Sequence, residues 1–429
     1  MPTLPISPLK LNIGFVSFRF AGTDGVSLET EKWAEVLEKF GHQCFYFAGE
    51  CDRDPEISMI VPEAHYRHPE IEIRHQNFYG QEQRSPQDTI WIHEKTAFLK
   101  SKLYVFKERF DIQMLIPENS LAIPINIPLG LATTEFIAET NIPTIAHHHD
   151  FSWERKRFLV NNVWDYISMA FPPTLHAIQH VTINSSGRHQ LARRKGVVSS
   201  IIPNVMQFEK SAPGIDDYNH DLRKALGISK DQLFVLQPTR VVQRKGIEHS
   251  IELLSRLGKD AVLVISHASG DEGYEYEEHL RHYAELMHVP TIFASEIFDE
   301  KRGMTPEGKK VYSLWDAYPH ADLVTYPSLI EGFGNAFLET VYFRKPIVVN
   351  NYTIYKIDIR TKGFKVIEFD GYITDNTVEQ TRFILDNPEE EFKMTDYNYG
   401  LALKYYSYKV LEAKLKVLLD NMFWDNPYV

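Results

Sequence analysis

Apolar positions fall along the chain in two alternating kinds of run. Leu11–Ser17 is a short, mostly apolar stretch of the kind that forms a strand buried on both faces. After a glycine-containing loop, Trp33, Val36, Leu37 and Phe40 recur at i, i+3, i+4 and i+7, which is one face of a helix. Ser27 is placed to cap that helix, Glu29 and Glu31 suit the positive end of its dipole, and Gly41 stops it. Cys44–Ala48 predicts the next strand. Ile112–Ile116, Thr144–Ala146 and Val181–Asn184 repeat the strand signal, with helical stretches between them. Strand and helix in alternation predict a parallel sheet covered on both faces.

The rhythm breaks between about Pro203 and Ser229, where a polar stretch with prolines and a glycine predicts a connector. It then resumes. Leu233–Gln237 predicts a strand, and Ile247, Ile251, Leu254 and Leu257 line a helix. Ala261–Ser266, Leu323–Tyr326 and Pro346–Asn350 are further strands, separated by helices over Tyr274–Met287 and Asn335–Phe343. Leu411, Leu415, Leu418 and Leu419 are in phase on a final amphipathic helix. The expected fold class is α/β, with two doubly wound Rossmann-like domains facing each other across a cleft. The boundaries are 1–203 for the first domain, 204–229 for a linker and 230–401 for the second, with the helix 402–429 packing back on the first. Ligands of such sheets bind beyond the carboxyl ends of the strands.

Composition narrows the classes of function. A chain of 429 residues is too long for one core and suits two. With 46 Lys+Arg against 58 Asp+Glu, the net charge of −12 disfavours nucleic acid and anionic membranes as partners. No apolar stretch approaches the ~20 residues that span a bilayer. The opening MPTLPISPLK is interrupted by prolines and lacks a basic leader, which argues against a signal peptide. Cys44 and Cys51 are the only cysteines, too few for a disulfide framework, and a cytoplasmic location is expected. The oligomeric state is not legible.

The strongest chemical signal is Pro327-Ser-Leu-Ile-Glu331-Gly-Phe-Gly334-Asn-Ala-Phe-Leu-Glu339. It follows a strand and opens a helix, so backbone N–H groups of the Gly332–Asn335 turn can bind an anion, and glycine permits close approach. Glu331 and Glu339 flank the turn. Carboxylates repel a phosphate but accept hydrogen bonds from sugar hydroxyls. This Glu-x7-Glu element, followed by Lys345-Pro346 and a strand, resembles retaining glycosyltransferase family 4, whose members have the GT-B fold. Four other stretches share the family's order and spacing: Leu236-Gln-Pro-Thr-Arg240-Val-Val-Gln-Arg-Lys245-Gly246, Ile201-Ile-Pro203-Asn204, Gly22-Thr-Asp-Gly25-Val26, and His147-His148-His149-Asp150.

The resemblance implies a hexosyltransferase that takes a sugar from a nucleotide diphosphate, of UDP-glucose or GDP-mannose type, to a small soluble acceptor. That acceptor would be a sugar, a sugar phosphate or a glycerate-type acid. Arg240 and Lys245 would neutralise the departing diphosphate, Glu339 would hold ribose hydroxyls, and Glu331 a hydroxyl of the transferred sugar. Gly25, Gly332, Phe333, Gly334 and Asn335 would complete the donor site through backbone groups. In the histidine run, His148 with Asp150 is the choice for contact with the donor sugar, and His147 and His149 remain rivals. Arg19 and Asp24 would meet the acceptor, or else form a local ion pair and helix cap.

Three consecutive histidines and an aspartate also invite a metal. Adjacent side chains splay to different sides of an extended segment, and cysteines at zinc-finger spacing are absent, so no metal and no cofactor is expected. Two departures from the family pattern stand out. Val205-Met206-Gln207 replaces the usual Gly-Val-Asp, and a charged loop, Asp299–Lys310, falls near where the base should lie, leaving the base preference open. The competing functions are a nucleotide-sugar 2-epimerase of the same fold and a transferase acting on a membrane lipid. A nicotinamide oxidoreductase would require GxGxxG after the first strand, where Gly22-x-x-Gly25 stands instead. The basic, aromatic stretch Trp153–Pro172 is the best candidate for a membrane-facing surface.

Overall fold

A computed structural model of the chain describes residues 10–22, 24–269 and 274–423. The chain divides into two compact units. Of the described residues, those up to Asn204 together with those from Leu411 onward form the first, and those within Val205–Val410 form the second.

The first unit is built on a seven-stranded sheet. Its strands are β1 (Asn12–Val16), β2 (Gln43–Ala48), β3 (Ser58–Ile60), β4 (Met114–Pro117), β5 (Thr144–His148), β6 (Ile178–Thr182) and β7 (Ser199–Ile201). They run in the order β3-β2-β1-β4-β5-β6-β7, all parallel. β1 is central, with Ile13 opposite both Cys44 and Met114. Ile13, Phe15 and Val16 are fully buried, as a strand covered on both faces requires. The second unit has a six-stranded sheet of β8 (Leu233–Gln237), β9 (Ala261–Ile265), β10 (Thr291–Phe293), β11 (Leu323–Tyr326), β12 (Ile347–Asn350) and β13 (Ile367–Phe369). Its order is β10-β9-β8-β11-β12-β13, again all parallel. Each unit is Rossmann-like. The strands without a sequence signal are β3, β7, β10 and β13, each three residues long and on the outer parts of the sheets, too short to carry a hydrophobic period.

Local details differ from expectation in instructive ways. The helix Gly25–Lys39 is capped by Asp24, not by Ser27. Asp24 Oδ1 accepts from the backbone N–H of Val26 at 3.0 Å and of Ser27 at 3.2 Å, and the Ser27 hydroxyl donates to Asp24 Oδ2 at 2.7 Å. A carboxylate satisfies two of the open N–H groups at once, so it takes the cap position. Glu29 does not face the helix start but is buried and bonded to Lys32. The final helix, Tyr408–Phe423, buries its four in-phase leucines, and Lys414 Nζ donates to the Ile201 carbonyl at 2.8 Å.

The stretch following Asn204 is packed rather than loose. Val205, Phe208 and Leu222 are buried. The charged loop Asp299–Lys310 folds into a small sheet of Phe298–Asp299, Gly303–Met304 and Lys310–Ser313. Two of its cations, Arg302 and Lys310, are engaged by that same stretch. Arg302 pairs with Asp216 at 2.8 Å and with Asp316, and Lys310 pairs with Asp221 at 2.7 Å. Within Trp153–Pro172, Phe158, Tyr166 and Phe171 are buried and Arg157 lies over the Phe158 ring, whereas Leu159, Val160, Trp164 and Met169 are exposed. Among the described residues no helix is long and apolar enough to cross a membrane.

Burial holds His75, His180 and His267 near a pKa of about 4, well below the ordinary value of histidine. A group whose folded pKa is depressed contributes its stability above the unfolded value of about 6.5, and loses it as pH falls toward the folded value. The thermal midpoint should therefore begin to fall once pH drops below about 6.5. Replacing His75 by Phe should make the decline shallower. Calorimetry across this range checks it, and a midpoint that stays flat until carboxylates titrate would contradict it.

Candidate functional site

In the second unit the chemistry sits where the sheet geometry demands it. β8 and β11 are parallel neighbours, with Val235 opposite Leu323 and Leu236 opposite Val324, so the loops that follow them leave the same edge. Backbone contacts join these loops. The Leu329 N–H donates to the Arg244 carbonyl at 2.8 Å. Gly246 has φ +58°, and a Cβ there would stand 2.8 Å from the Pro327 carbonyl oxygen. The join brings the Lys245 ammonium against the Glu331 carboxylate, with Arg244 at 3.6 Å on the other oxygen. Both Lys245 and Glu331 side chains are about nine-tenths buried. Burial opposes the charge on Glu331, but the adjacent Lys245 outweighs it and keeps the carboxyl below the usual carboxylate range.

Gly334 caps the helix Asn335–Tyr342 at φ +128°, a conformation reserved for glycine, and a Cβ would lie 2.4 Å from the Tyr352 hydroxyl oxygen. That hydroxyl donates to the Phe333 carbonyl at 2.8 Å. The Phe333 ring is buried against Tyr406, so only its backbone is available to a ligand. Gly332 is exposed and Asn335 half buried at the helix start. Glu339, one turn into the helix, accepts from the Tyr318 hydroxyl at 2.8 Å. Arg240 is exposed in the loop after β8. The neighbouring strand β9 contributes His267, whose Nδ1 is 2.7 Å from the Ser266 hydroxyl. Its loop is tied to that of Arg240 by the Val241 N–H to the Ala268 carbonyl at 3.2 Å. Burial keeps His267 neutral, helped by the charges of Arg240 and Lys245. The structure thus brings together Lys245, Glu331 and the Gly332–Asn335 turn, and places Arg240 and His267 on adjacent strand ends.

In the first unit, β5 runs straight into the histidine run, and side chains alternate between faces. His148 turns to one face, where its Nε2 lies 2.9 Å from His180 Nδ1, and it is 1% exposed. Burial first, and then the neighbouring histidines, push its pKa far below the ordinary value. The choice of His148 as the ligand-facing histidine therefore does not fit its position: it packs in the sheet.

His147 and His149 share the other side, and both meet Glu118, which ends the loop side of β4. The Oε2 of Glu118 is 2.9 Å from His147 Nδ1 and 3.4 Å from His149 Nε2. His147 is also stacked on Trp33, with ring centroids 4.2 Å apart. Burial, with the charge of buried Glu29 adding to it, raises the Glu118 carboxyl to a pKa of about 7 against the opposing influence of His149. One ligand atom each from Glu118, His147 and His149 lie within 4.8 Å of one another, so these are the side chains that could hold a metal ion. The splay of adjacent residues excludes His148 from that group but leaves the alternate pair together.

Asp150 is engaged by the Asn119 amide at 2.9 Å and by Arg155. Arg19 and Asp24 form the local alternative, an ion pair at 2.9 Å with Asp24 also capping the helix that begins at Gly25. Thr23 of that loop lies outside the described residues. Glu118, His267, Tyr318 and Tyr352 carry no motif of their own, and Arg244 lies within the Leu236–Gly246 stretch without having been singled out. The signal that could have found Glu118 is its place, a carboxylate directly beyond the carboxyl end of an apolar strand.

Comparisons with known proteins bear on the family and the fold. The chain matches no protein-family profile. It is 33% identical over 380 residues to a mannosylglucosylglycerate synthase of Petrotoga mobilis, a match covering 83% of this chain and 86% of that protein. It is 30% identical over 441 aligned positions to a mannosylglucosylglycerate synthase of Thermotoga maritima, covering 94% and 98%. Among solved structures, a glycosyltransferase of Rickettsia africae superposes with a TM-score of 0.69 at 12% identity, covering 97% of this chain and all of that one, which bears on the fold alone. The chain belongs to the mannosylglucosylglycerate synthase family and is a glycosyltransferase of GT-B fold.

Proposed function

We propose that the protein is a retaining hexosyltransferase of the family 4 type, using a nucleotide diphosphate sugar of GDP-mannose or UDP-glucose type. The observation that carries this is the buried Lys245–Glu331 pair beside the glycine turn at a helix start. In transfer, the bond from the sugar's anomeric carbon to the phosphate oxygen breaks and its electron pair leaves on the diphosphate. The acceptor hydroxyl forms the new bond on the face the diphosphate leaves and passes its proton to the departing phosphate oxygen. Arg240, Lys245 and the backbone N–H groups of the turn stabilise the negative charge that develops, which is where fixed donors lower a barrier most. Glu331 accepts from a hydroxyl of the transferred sugar and Glu339 from the ribose. His267, neutral and adjacent to Arg240, extends the same donor surface.

For the acceptor we propose a small soluble hydroxy acid or its glycoside. The relatives are named for a product containing mannose, glucose and glycerate, and a net charge of −12 does not favour an anionic lipid surface. An epimerase would convert donor without acceptor, so incubation with donor alone separates the two functions.

Two outcomes are expected. Glu339→Ala should weaken binding of the bare nucleoside diphosphate by about 1.5–3 kcal/mol, the worth of a charge-assisted hydrogen bond. Glu331→Gln should lower kcat while leaving that affinity within about twofold. Calorimetry with nucleoside diphosphates, paired with initial rates, reads both, and the reverse pattern would overturn the assignment. Because Arg240 and Lys245 supply the positive charge at the diphosphate, adding magnesium or manganese should change the initial rate by no more than about twofold. A strict requirement for either ion would defeat that division of charge.

A further inference from the structure

We propose that Glu118, His147 and His149 form a binding site for one divalent transition-metal ion of zinc type, held within the first unit. The separations fit. On a tetrahedral ion with bonds of about 2.0–2.2 Å, two nitrogen or oxygen ligands stand about 3.4 Å apart. Glu118 Oε2 already lies 3.4 Å from His149 Nε2 and 2.9 Å from His147 Nδ1, and all three ligand atoms are within 4.8 Å.

The charge balance points the same way. Glu118 is fully buried, and among the described residues no lysine or arginine pairs with it. Its Oε1 is buried without any hydrogen-bond partner. A carboxylate in such a place is costly unless a cation or further hydrogen bonds compensate it, and a bound cation supplies that compensation. The ligands are also held in place by the fold rather than gathered by chance at a surface. The Glu118 N–H donates to the Val16 carbonyl at 2.9 Å and the Asn119 N–H to the His147 carbonyl at 2.8 Å. The Asn119 side chain accepts from the His149 N–H at 3.0 Å, and Trp33 fixes the plane of His147. His149, with a side chain 10% exposed, is the member open to entry. Two histidines and one carboxylate leave a fourth position on the ion for water or for an oxygen of a hydroxyl- or carboxylate-bearing ligand.

The test is direct and involves no sugar transfer, so its outcome is independent of the proposed activity. The full-length protein is stripped with a chelator and titrated with zinc against a chromophoric competitor, and with cobalt followed by visible absorption. The chain has 18 histidines, so weak surface binding forms the background. The expected result is one site per chain above that background, with the cobalt spectrum of a low-coordinate site. Glu118→Gln and His149→Ala should each weaken zinc by at least about tenfold. Zinc should also raise the thermal midpoint of the native protein and not that of His149→Ala, the less buried variant, which serves if Glu118→Gln fails to fold. Absence of a site above background, or zinc binding unchanged in His149→Ala, would overturn the proposal and leave the cluster as a proton-sharing network of hydrogen bonds.

Discussion

The ion pair between Lys245 and Glu331 is the constraint around which the second unit's site is arranged. Two opposite charges, each about nine-tenths buried, are tolerable only in contact. Contact requires that the loops after β8 and β11 lie side by side, which follows from those strands being parallel neighbours in the sheet. It also requires Gly246 to pass close to Pro327 and Leu329 to hydrogen bond to Arg244. With the loops so joined, the turn at Gly334 presents its backbone at the start of the following helix, and Arg240 and His267 stand on adjacent strand ends. The pair also couples two roles. A lysine suited to a phosphate and a glutamate suited to a sugar hydroxyl each set the charge state of the other before any ligand arrives.

In the first unit the organising fact is the two-residue period of a strand. His147 and His149 reach Glu118 because they share a side, whereas His148 reaches His180 because it does not. Two distinct polar clusters are therefore built from three consecutive identical residues. Trp33, presented by the helix that Asp24 caps, closes one of them by stacking on His147. The Arg19–Asp24 pair, which local chemistry alone explains, lies on that same capped loop.

The packed state of the charged loop 299–310 has a similar cause. Arg302 and Lys310 would be solvated in isolation, but Asp216, Asp221 and Asp316 stand opposite them once the segment after Asn204 packs within the second unit. Tyr218 adds its ring beneath both cations and its hydroxyl to the Gly303 and Val311 carbonyls. The polar stretch and the charged loop each look like unstructured surface by themselves. They are ordered by one another.

What the sequence by itself determined is the alternation of strands and helices, the two Rossmann-like sheets, and the glycine turn flanked by Glu331 and Glu339. These are local properties: a hydrophobic period, a turn that only glycine can make, and the order of motifs along the chain. Central strands such as β1, β8 and β11 are legible because burial on both faces demands an unbroken apolar run. Edge strands of three residues are not, since pairing with a neighbour rather than composition defines them. Tertiary structure alone decided that Lys245 meets Glu331 and that Glu118 gathers His147 and His149 while His148 turns away. Each of these depends on which strands become neighbours and which face of a strand is buried, and the partners stand up to 86 residues apart in the chain. No local pattern encodes a contact between residues whose proximity is created only when the sheet closes.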